Sequence, residues 1–265
     1  MEGISGIVDW LETHSREGGD RYARACKFMT ADVNAAALGA FDGGATEVLI
    51  NDSHGGARNI LVEELDERVR LISGSPKRLS MMEGVPGCDV AMFVGYHARA
   101  HGNGIMNHTY TGSLLAYRIN GQLWGEFGMN AALAGHFGVP PVMLTGDRHA
   151  TDEALALVPA IKTVTVKEAV SQLAANLMHP ARARTLIRET AAAAISEAVV
   201  TKPEPLRVTT PVRLEMSFAR SIQADSAEVL PGAERVDGNT VAWTGSDYLE
   251  CYRAFRTLIA LGSVN

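Results

Sequence analysis

The stretch Val90-Ala91-Met92-Phe93-Val94-Gly95-Tyr96-His97 places five consecutive apolar residues shortly before a histidine. A continuous apolar run of this length is typical of a strand that is buried on both faces, as in a parallel sheet. Two further short apolar runs, at residues 48–50 and 142–144, also lead into polar residues. These runs predict strands of a parallel sheet with polar side chains collected where the strands end.

Segments with helical periodicity separate these strands. Apolar residues recur every three or four positions over residues 20–40, and an Ala-rich helix is predicted for residues 180–200. Helices are also predicted for residues 126–137 and for a segment that starts at Thr151-Asp152-Glu153, where a hydroxyl or a carboxylate can cap the free N–H groups. The alternation predicts an α/β fold with a largely parallel sheet flanked by helices.

A change in pattern follows the Ala-rich helix. Pro203-Glu204-Pro205 breaks the helix, Val212–Met216 alternates between apolar and polar residues, and a final helix is predicted near residues 247–261. We therefore predict an α/β domain over residues 1–200 and a smaller C-terminal α+β subdomain over residues 201–265.

Composition excludes several classes of protein. The chain of 265 residues is 46% hydrophobic and carries a net charge of −6, which argues against nucleic acid as the main partner. No apolar run approaches the roughly 18 residues of a membrane helix, and residues 1–20 lack the pattern of a signal peptide. The three cysteines are widely separated and fit no zinc or disulfide framework, so we expect free thiols in the cytoplasm.

Five histidine and glutamate residues lie in separate predicted loops: Glu2, His54, His97, His108 and Glu126. Imidazole and carboxylate groups are standard zinc ligands, and the ends of strands in α/β sheets are where sites are built. A ligand histidine needs an acceptor on its other ring nitrogen, which for His54 a nearby carboxylate or a backbone carbonyl could supply. Each residue taken singly also fits an ordinary structural role. Together they favour a site for a divalent metal and a hydrolase, while His14, His136, His149 and His179 are expected to be structural or solvated.

Several sequence blocks resemble the D-aminopeptidases of dipeptide-transport operons, a zinc peptidase family. The blocks, in chain order, are Glu2–Gly6, Asn51–His54, Ser80–Gly84, Gly95–Ala100, Met106–His108 and Gly125–Asn130. The resemblance covers essentially the whole chain. It implies two zinc ions per subunit, with Glu2, His54, His97 and Glu126 as ligands and His108 as the catalytic histidine.

The resemblance also implies the activity and the assembly. The expected activity is hydrolysis of short peptides with an N-terminal D-amino acid, such as D-Ala-D-Ala. The expected assembly is a closed homo-oligomeric ring, a decamer, with active sites facing an inner chamber. In this family an aspartate two residues before the glutamate bridges the metals, whereas here position 1 is Met and the family's first strand is absent. We expect either a start site set at an internal Met or a naturally shortened chain with a degraded metal site.

Two alternative functions are compatible with the same residues. The first is a metal-dependent amidase or phosphoester hydrolase that acts on another small substrate. The second is a non-catalytic peptide-binding protein, because the bridging aspartate is absent. Manganese or cobalt would suit similar ligands, although His and carboxylate ligation favours zinc.

Overall fold

The computed structural model describes residues 1–14 and 17–264. Its helices are α1 (Gly19–Asp42), α2 (Glu126–His136), α3 (Arg148–Leu157), α4 (Pro180–Thr201), α5 (Ser221–Ala227) and α6 (Tyr248–Leu261). Its strands are β1 (Leu49–Asn51), β2 (Arg70–Ile72), β3 (Ala91–Tyr96), β4 (Leu114–Ile119), β5 (Gln122–Leu123), β6 (Pro141–Asp147), β7 (Lys162–Ser171), β8 (Ala174–Leu177), β9 (Val212–Phe218), β10 (Ala233–Arg235) and β11 (Thr240–Gly245). The predicted α/β class is confirmed.

The strands around the predicted apolar runs are parallel. One sheet has the order β3-β6-β7-β8, in which β3, β6 and β7 are parallel and β8 is antiparallel to β7. Strands β1 and β2 form a separate parallel pair. The prediction of a largely parallel sheet therefore holds for these elements, but not for the whole chain.

A second large sheet is antiparallel throughout, with the order β10-β11-β9-β4-β5. Its β9, β10 and β11 come from the C-terminal segment, whereas β4 and β5 form the hairpin around Asn120-Gly121. The C-terminal strands thus share a sheet with residues 114–123. The boundary between residues 200 and 201 stays a prediction.

Helices α1 and α4 pack closely on each other beside β6 and β7. Their contact is lined by small residues, and a Cβ on Gly39 would lie 2.2 Å from the backbone oxygen of Arg188. The Ala-rich composition of α4 therefore permits the close approach of two helices, as well as favouring helix formation. Within residues 1–14 and 17–264, no helix combines the length and the apolar composition needed to cross a membrane. Cys26, Cys88 and Cys251 are free thiols.

The carboxyl ends of β3 and β6 lie side by side, because Tyr96 pairs with Gly146 in the parallel register. His97 directly follows β3, and Asp147 ends β6. The predicted start of α3 at Thr151 is wrong: the helix begins at Arg148, and the Asp147 carboxylate caps it by accepting from the N–H of Ala150. A single aspartate thus ends the strand and begins the helix, with no loop between them.

Candidate metal centre

The segment that carries Glu2 lies against the end of β3. The N–H of Gly3 donates to the backbone oxygen of Gly95 at 3.1 Å. A Cβ on Gly3 would lie 1.6 Å from the backbone oxygen of Tyr96, so only glycine permits this approach. The contact brings the buried Glu2 side chain next to the residues that follow β3.

A buried lysine donates hydrogen bonds to the backbone of the same segment. Lys167 is 1% exposed, and its Nζ donates to the backbone oxygens of Glu2 at 2.5 Å and Ile7 at 2.9 Å. Asp147 is its register partner on β6, and the Asp147 carboxylate accepts from the N–H of Ala98 at 3.4 Å. Lys167 and Asp147 therefore support two loops of the site, one that carries Glu2 and one that carries His97.

A buried aspartate orders the loop that follows β1. The Asp52 carboxylate is 0% exposed and accepts from the N–H groups of Asn59 and Ile60 at 2.6 and 3.0 Å. Within this loop, His54 Nε2 lies 2.9 Å from the backbone oxygen of Thr13. The acceptor expected for the second ring nitrogen of His54 is therefore a backbone carbonyl rather than the carboxylate of Asp52.

His97 and Glu126 approach each other from two elements. His97 follows β3, and its Nδ1 lies 3.0 Å from the backbone oxygen of Ala98. Glu126 is the first residue of α2, as predicted, and its Oε1 accepts from the N–H of Tyr110 at 2.8 Å. The same oxygen lies 3.3 Å from His97 Nε2.

His108 completes the cluster and faces the cavity. Its ring stacks on that of His97, with centroids 4.2 Å apart and an interplanar angle of 9°. Its Nδ1 lies 3.0 Å from the backbone oxygen of Met106, and its Nε2 lies 3.8 Å from Glu126 Oε1. The Trp10 ring meets His108 edge to face at 5.4 Å.

The three histidines share one arrangement of hydrogen bonds. In each of them, one ring nitrogen faces a backbone carbonyl oxygen, which can only accept, so that nitrogen carries the proton. In the neutral imidazole the other nitrogen then presents a lone pair. These lone pairs belong to His54 Nδ1, His97 Nε2 and His108 Nε2, and all three face carboxylate oxygens of Glu2 or Glu126.

A lone pair that faces a carboxylate requires a cation or a proton between them. Glu2 Oε2 lies 3.4 Å from His54 Nδ1 and 3.9 Å from His97 Nε2. One ligand atom from each of His97, His108 and Glu126 can be chosen so that all three atoms lie within 4.8 Å of one another. Nitrogen and oxygen donors that converge in this way, each already held by a backbone group, fit a divalent metal site.

The charges within the metal-free cluster shift its titration. Burial alone would lower the pKa of His97, but the Glu126 carboxylate outweighs burial and raises it to about 9. Burial would raise the pKa of Glu126, and the charge of His97 brings it to about 2. Burial and the charge of His97 lower the pKa of His108, which favours a neutral ring there. The carboxylates therefore stabilise a positive charge within the cluster, and a proton on His97 supplies that charge when no metal is bound.

A cavity of about 890 Å³ opens above these groups. It is lined by all five predicted site residues and by neighbouring side chains that include Trp10, His14, Tyr22, Ser80, Tyr110 and Gln172. This volume is in the range of small-molecule sites and suits a short peptide rather than a folded protein. The cavity thus gives a small substrate access to the donor cluster.

The predicted site residues are brought together, and further residues join them that the sequence did not single out. The most important additions are Trp10, Tyr110 and Lys167, none of which belongs to a histidine or acidic pattern. His14, expected to be structural or solvated, has its Nδ1 2.7 Å from the backbone oxygen of Trp10 and also lines the cavity. The role of Lys167 has no local signal in the sequence.

An α/β fold with a His and Glu cluster next to the carboxyl ends of parallel strands, open to a peptide-sized cavity, has the architecture of a metal-dependent hydrolase. The model of the D-aminopeptidase family matches residues 1–257. A curated D-aminopeptidase of Bacillus subtilis (strain 168) is 39% identical over 265 residues, covering 98% of this chain and 94% of that protein. The chain therefore belongs to the D-aminopeptidase family, as its sequence blocks indicate.

A solved structure resembles this one over its full length. The Zn-dependent D-aminopeptidase DppA from Bacillus subtilis, described as a self-compartmentalizing protease, has a TM-score of 0.95 and is 37% identical to this chain. The match covers 100% of this chain and 96% of that one. This likeness confirms the predicted fold class and the predicted class of enzyme, a peptidase.

Proposed function

We propose that this protein is a zinc-dependent aminopeptidase that hydrolyses short peptides with an N-terminal D-amino acid. Membership of the D-aminopeptidase family and the 39% identity to the Bacillus subtilis enzyme support this activity. The observation that carries the proposal is the set of three imidazole lone pairs that face two carboxylates, the buried Glu2 and the partly buried Glu126, beside a peptide-sized cavity. That arrangement has a clear use only when a cation is bound.

We propose two zinc ions per subunit. The proposed ligands are one pair formed by Glu2 and His54 and a second pair formed by His97 and Glu126. His108, whose Nε2 also faces Glu126, is assigned to catalysis rather than to metal binding. Glu2 Oε2 lies within 4 Å of a ring nitrogen of both His54 and His97, so Glu2 would help to hold metal at this centre. Bound zinc lowers the pKa of a coordinated water towards neutrality and polarises the scissile carbonyl.

The protein groups around the donors have separate tasks. His108 is the catalytic residue in this proposal. Its Nδ1 proton is held by the Met106 carbonyl, so its Nε2 is free to accept a proton and to return one to the leaving amine. Burial and the charge of His97 lower the pKa of His108, which favours the unprotonated form of this nitrogen. Trp10 packs against the His108 ring, with the two ring centroids 5.4 Å apart.

We also propose that the chain assembles into a homo-oligomeric ring, a decamer, in which the cavities face an inner chamber. The description of the Bacillus subtilis structure as self-compartmentalizing supports a closed assembly of this kind. Light scattering coupled to gel filtration measures the assembly directly. A mass of about ten chains is expected, and a monomer would contradict the ring. The cytoplasmic location stays a prediction from the sequence.

The activity is tested with a panel of small substrates. D-Ala-D-Ala, L-Ala-L-Ala, an N-acetylated D-dipeptide, an alkyl amide and a phosphoester are incubated with the zinc-loaded protein and with chelator-treated protein. Hydrolysis only of the D-peptide with a free amine, lost on chelation and restored by zinc, is the expected result. Turnover of the amide or the phosphoester instead would establish another hydrolase. Binding of peptides without turnover of any substrate would establish a non-catalytic protein.

A further inference from the structure

A second recess lies next to the cavity, and Glu2 is not among its lining residues. It has a volume of about 270 Å³ and shares part of its lining with the main cavity, including Ser80 and Tyr110. Its distinguishing feature is a pair of cationic side chains, Lys77 and Arg256, which do not line the main cavity. The two spaces therefore share part of their walls but differ in charge.

Both cations keep donor capacity for a ligand. Lys77 Nζ donates to Asn51 Oδ1 at 2.6 Å and to the backbone oxygen of Asp52 at 2.5 Å, which leaves one of three N–H groups. Arg256 donates from Nη1 to the backbone oxygen of Lys77 at 3.4 Å, which leaves most of its five donors. Over residues 1–14 and 17–264, neither cation has a carboxylate partner within 4.0 Å.

The one acidic group of the recess is already occupied. The Asp52 carboxylate is fully buried and accepts from two backbone N–H groups and from the side chain of Asn59. Its oxygens are therefore directed into the loop rather than towards Arg256 or Lys77. The recess presents two positive charges and the hydroxyl groups of Ser75, Ser80 and Tyr110 to whatever enters it.

Tyr110 connects the recess to the metal ligands. Its backbone N–H donates to Glu126 Oε1 at 2.8 Å, and its hydroxyl lies 3.3 Å from Ser80 Oγ at the recess. Its φ of +64° is in the left-handed region, which is rare for an aromatic residue. One extended peptide residue spans at most about 3.6 Å. The C-terminal carboxylate of a dipeptide or tripeptide would therefore lie one or two such lengths from the scissile bond, which is comparable to the length of the Tyr110 side chain.

We propose that this basic recess binds the C-terminal carboxylate of a short peptide substrate, with Arg256 and Lys77 as its charged donors. The proposal rests on the proposed function and defines its substrate class as peptides of two or three residues with a free C-terminus. A guanidinium group matches the planar fork of a carboxylate, and the ammonium adds a second donor. The recess thereby selects short peptides, because a longer peptide cannot place its C-terminal carboxylate there while its first peptide bond lies at the metal site.

The first test compares D-Ala-D-Ala with its C-terminal amide, which removes only the negative charge. A charge-assisted hydrogen bond lost from a partly enclosed site corresponds to about 10- to 100-fold in affinity. The wild-type zinc enzyme is expected to favour the free acid by this factor in kcat/KM. Arg256→Gln is expected to raise KM for the free acid about tenfold or more, with kcat unchanged and the amide unaffected. Lys77→Met is expected to have the same direction of effect.

The matched control is Arg253→Gln, which removes an exposed arginine from the same helix, α6, outside both spaces. Arg253→Gln should leave kcat and KM unchanged for both the free acid and the amide. Equal kcat/KM for acid and amide in the wild type would contradict the proposal that the basic recess binds the substrate carboxylate. An equal loss of kcat/KM for both substrates in Arg256→Gln would contradict it as well.

A binding measurement separates this proposal from the proposed function. Metal-free wild type, Arg256→Gln and Arg253→Gln are titrated with D-Ala-D-Ala and with its amide by calorimetry. Tighter binding of the acid to the wild type and to Arg253→Gln, but not to Arg256→Gln, supports the recess even if no peptide is hydrolysed. Absence of hydrolysis in the zinc-loaded wild type contradicts the proposed function, whereas equal affinity for acid and amide contradicts the recess.

Discussion

Substitution of Lys167 by methionine tests how the fold holds the metal ligands. Lys167→Met keeps the length of the side chain and removes its three donors. The backbone oxygens of Glu2 and Ile7 then lose their charged partner inside the protein. A buried polar group left without a partner costs about 1–3 kcal/mol, so the two oxygens together give about 2–6 kcal/mol. We expect a loss of about 4 kcal/mol in the free energy of unfolding of the metal-free protein.

The same substitution should weaken metal binding. Lys167 fixes the segment that carries Glu2, and loss of a group that orients a ligand typically reduces metal affinity by about 10- to 100-fold. Urea denaturation measures the stability, and competition with a chromophoric chelator measures the zinc dissociation constant at a temperature where the variant is fully folded.

Lys162→Met is the matched control, since Lys162 lies on the same strand and forms only a surface ion pair with Glu197 at 2.6 Å. The free energy of unfolding of Lys162→Met should decrease by less than about 1 kcal/mol, and its zinc affinity should equal that of the wild type. Equal zinc affinity of the two methionine variants would contradict this role of Lys167. A decrease of less than about 1 kcal/mol in the free energy of unfolding of Lys167→Met would contradict it too.

Three further predictions concern the cluster itself. His108→Ala should lower kcat by about 10²- to 10⁴-fold while zinc content stays the same; a loss of zinc would make His108 a ligand instead. The free energy of unfolding of the metal-free protein should fall as pH rises from 6.5 through about 9, because Glu126 stabilises only the protonated ring of His97, whose pKa it raises to about 9. Urea titrations at several pH values check this, with Glu126→Gln expected to flatten the decline and a flat wild-type profile contradicting it. Gly3→Ala should displace the Glu2 segment, since the new Cβ would meet the Tyr96 oxygen, and elemental analysis should then find about one zinc fewer per chain; an unchanged zinc content would contradict this.

The parts of the fold that could be predicted are those with strong local patterns. The apolar run before His97 forms β3, and the periodic segments form α1, α2 and α4 close to their predicted bounds. The position of His97 directly after such a run predicts a place at the end of a strand, and its Nε2 lies 3.3 Å from Glu126 Oε1. Local sequence carries this information because strands and helices are set by patterns a few residues long.

The remaining features depend on contacts between distant residues. The pairing of β9 with β4 joins residues about 100 positions apart, and nothing in either strand specifies that partner. A lysine in the alternating segment of β7 would ordinarily face solvent, so the burial of Lys167 beneath the Glu2 segment has no local signal. Similarly, Asp147 caps α3 directly from the end of β6. A loop is the usual connection between a strand and a helix, so the predicted start of α3 at Thr151 lies three residues after the observed start at Arg148.

The zinc content of the purified protein tests the central claim most directly. Elemental analysis of wild-type protein prepared without chelator should find about two zinc ions per chain, and His97→Ala should find markedly less while remaining folded. A folded wild-type protein that holds no zinc after incubation with an excess of the metal, or a His97→Ala variant that holds as much as the wild type, would contradict the assignment of this cluster as the metal centre.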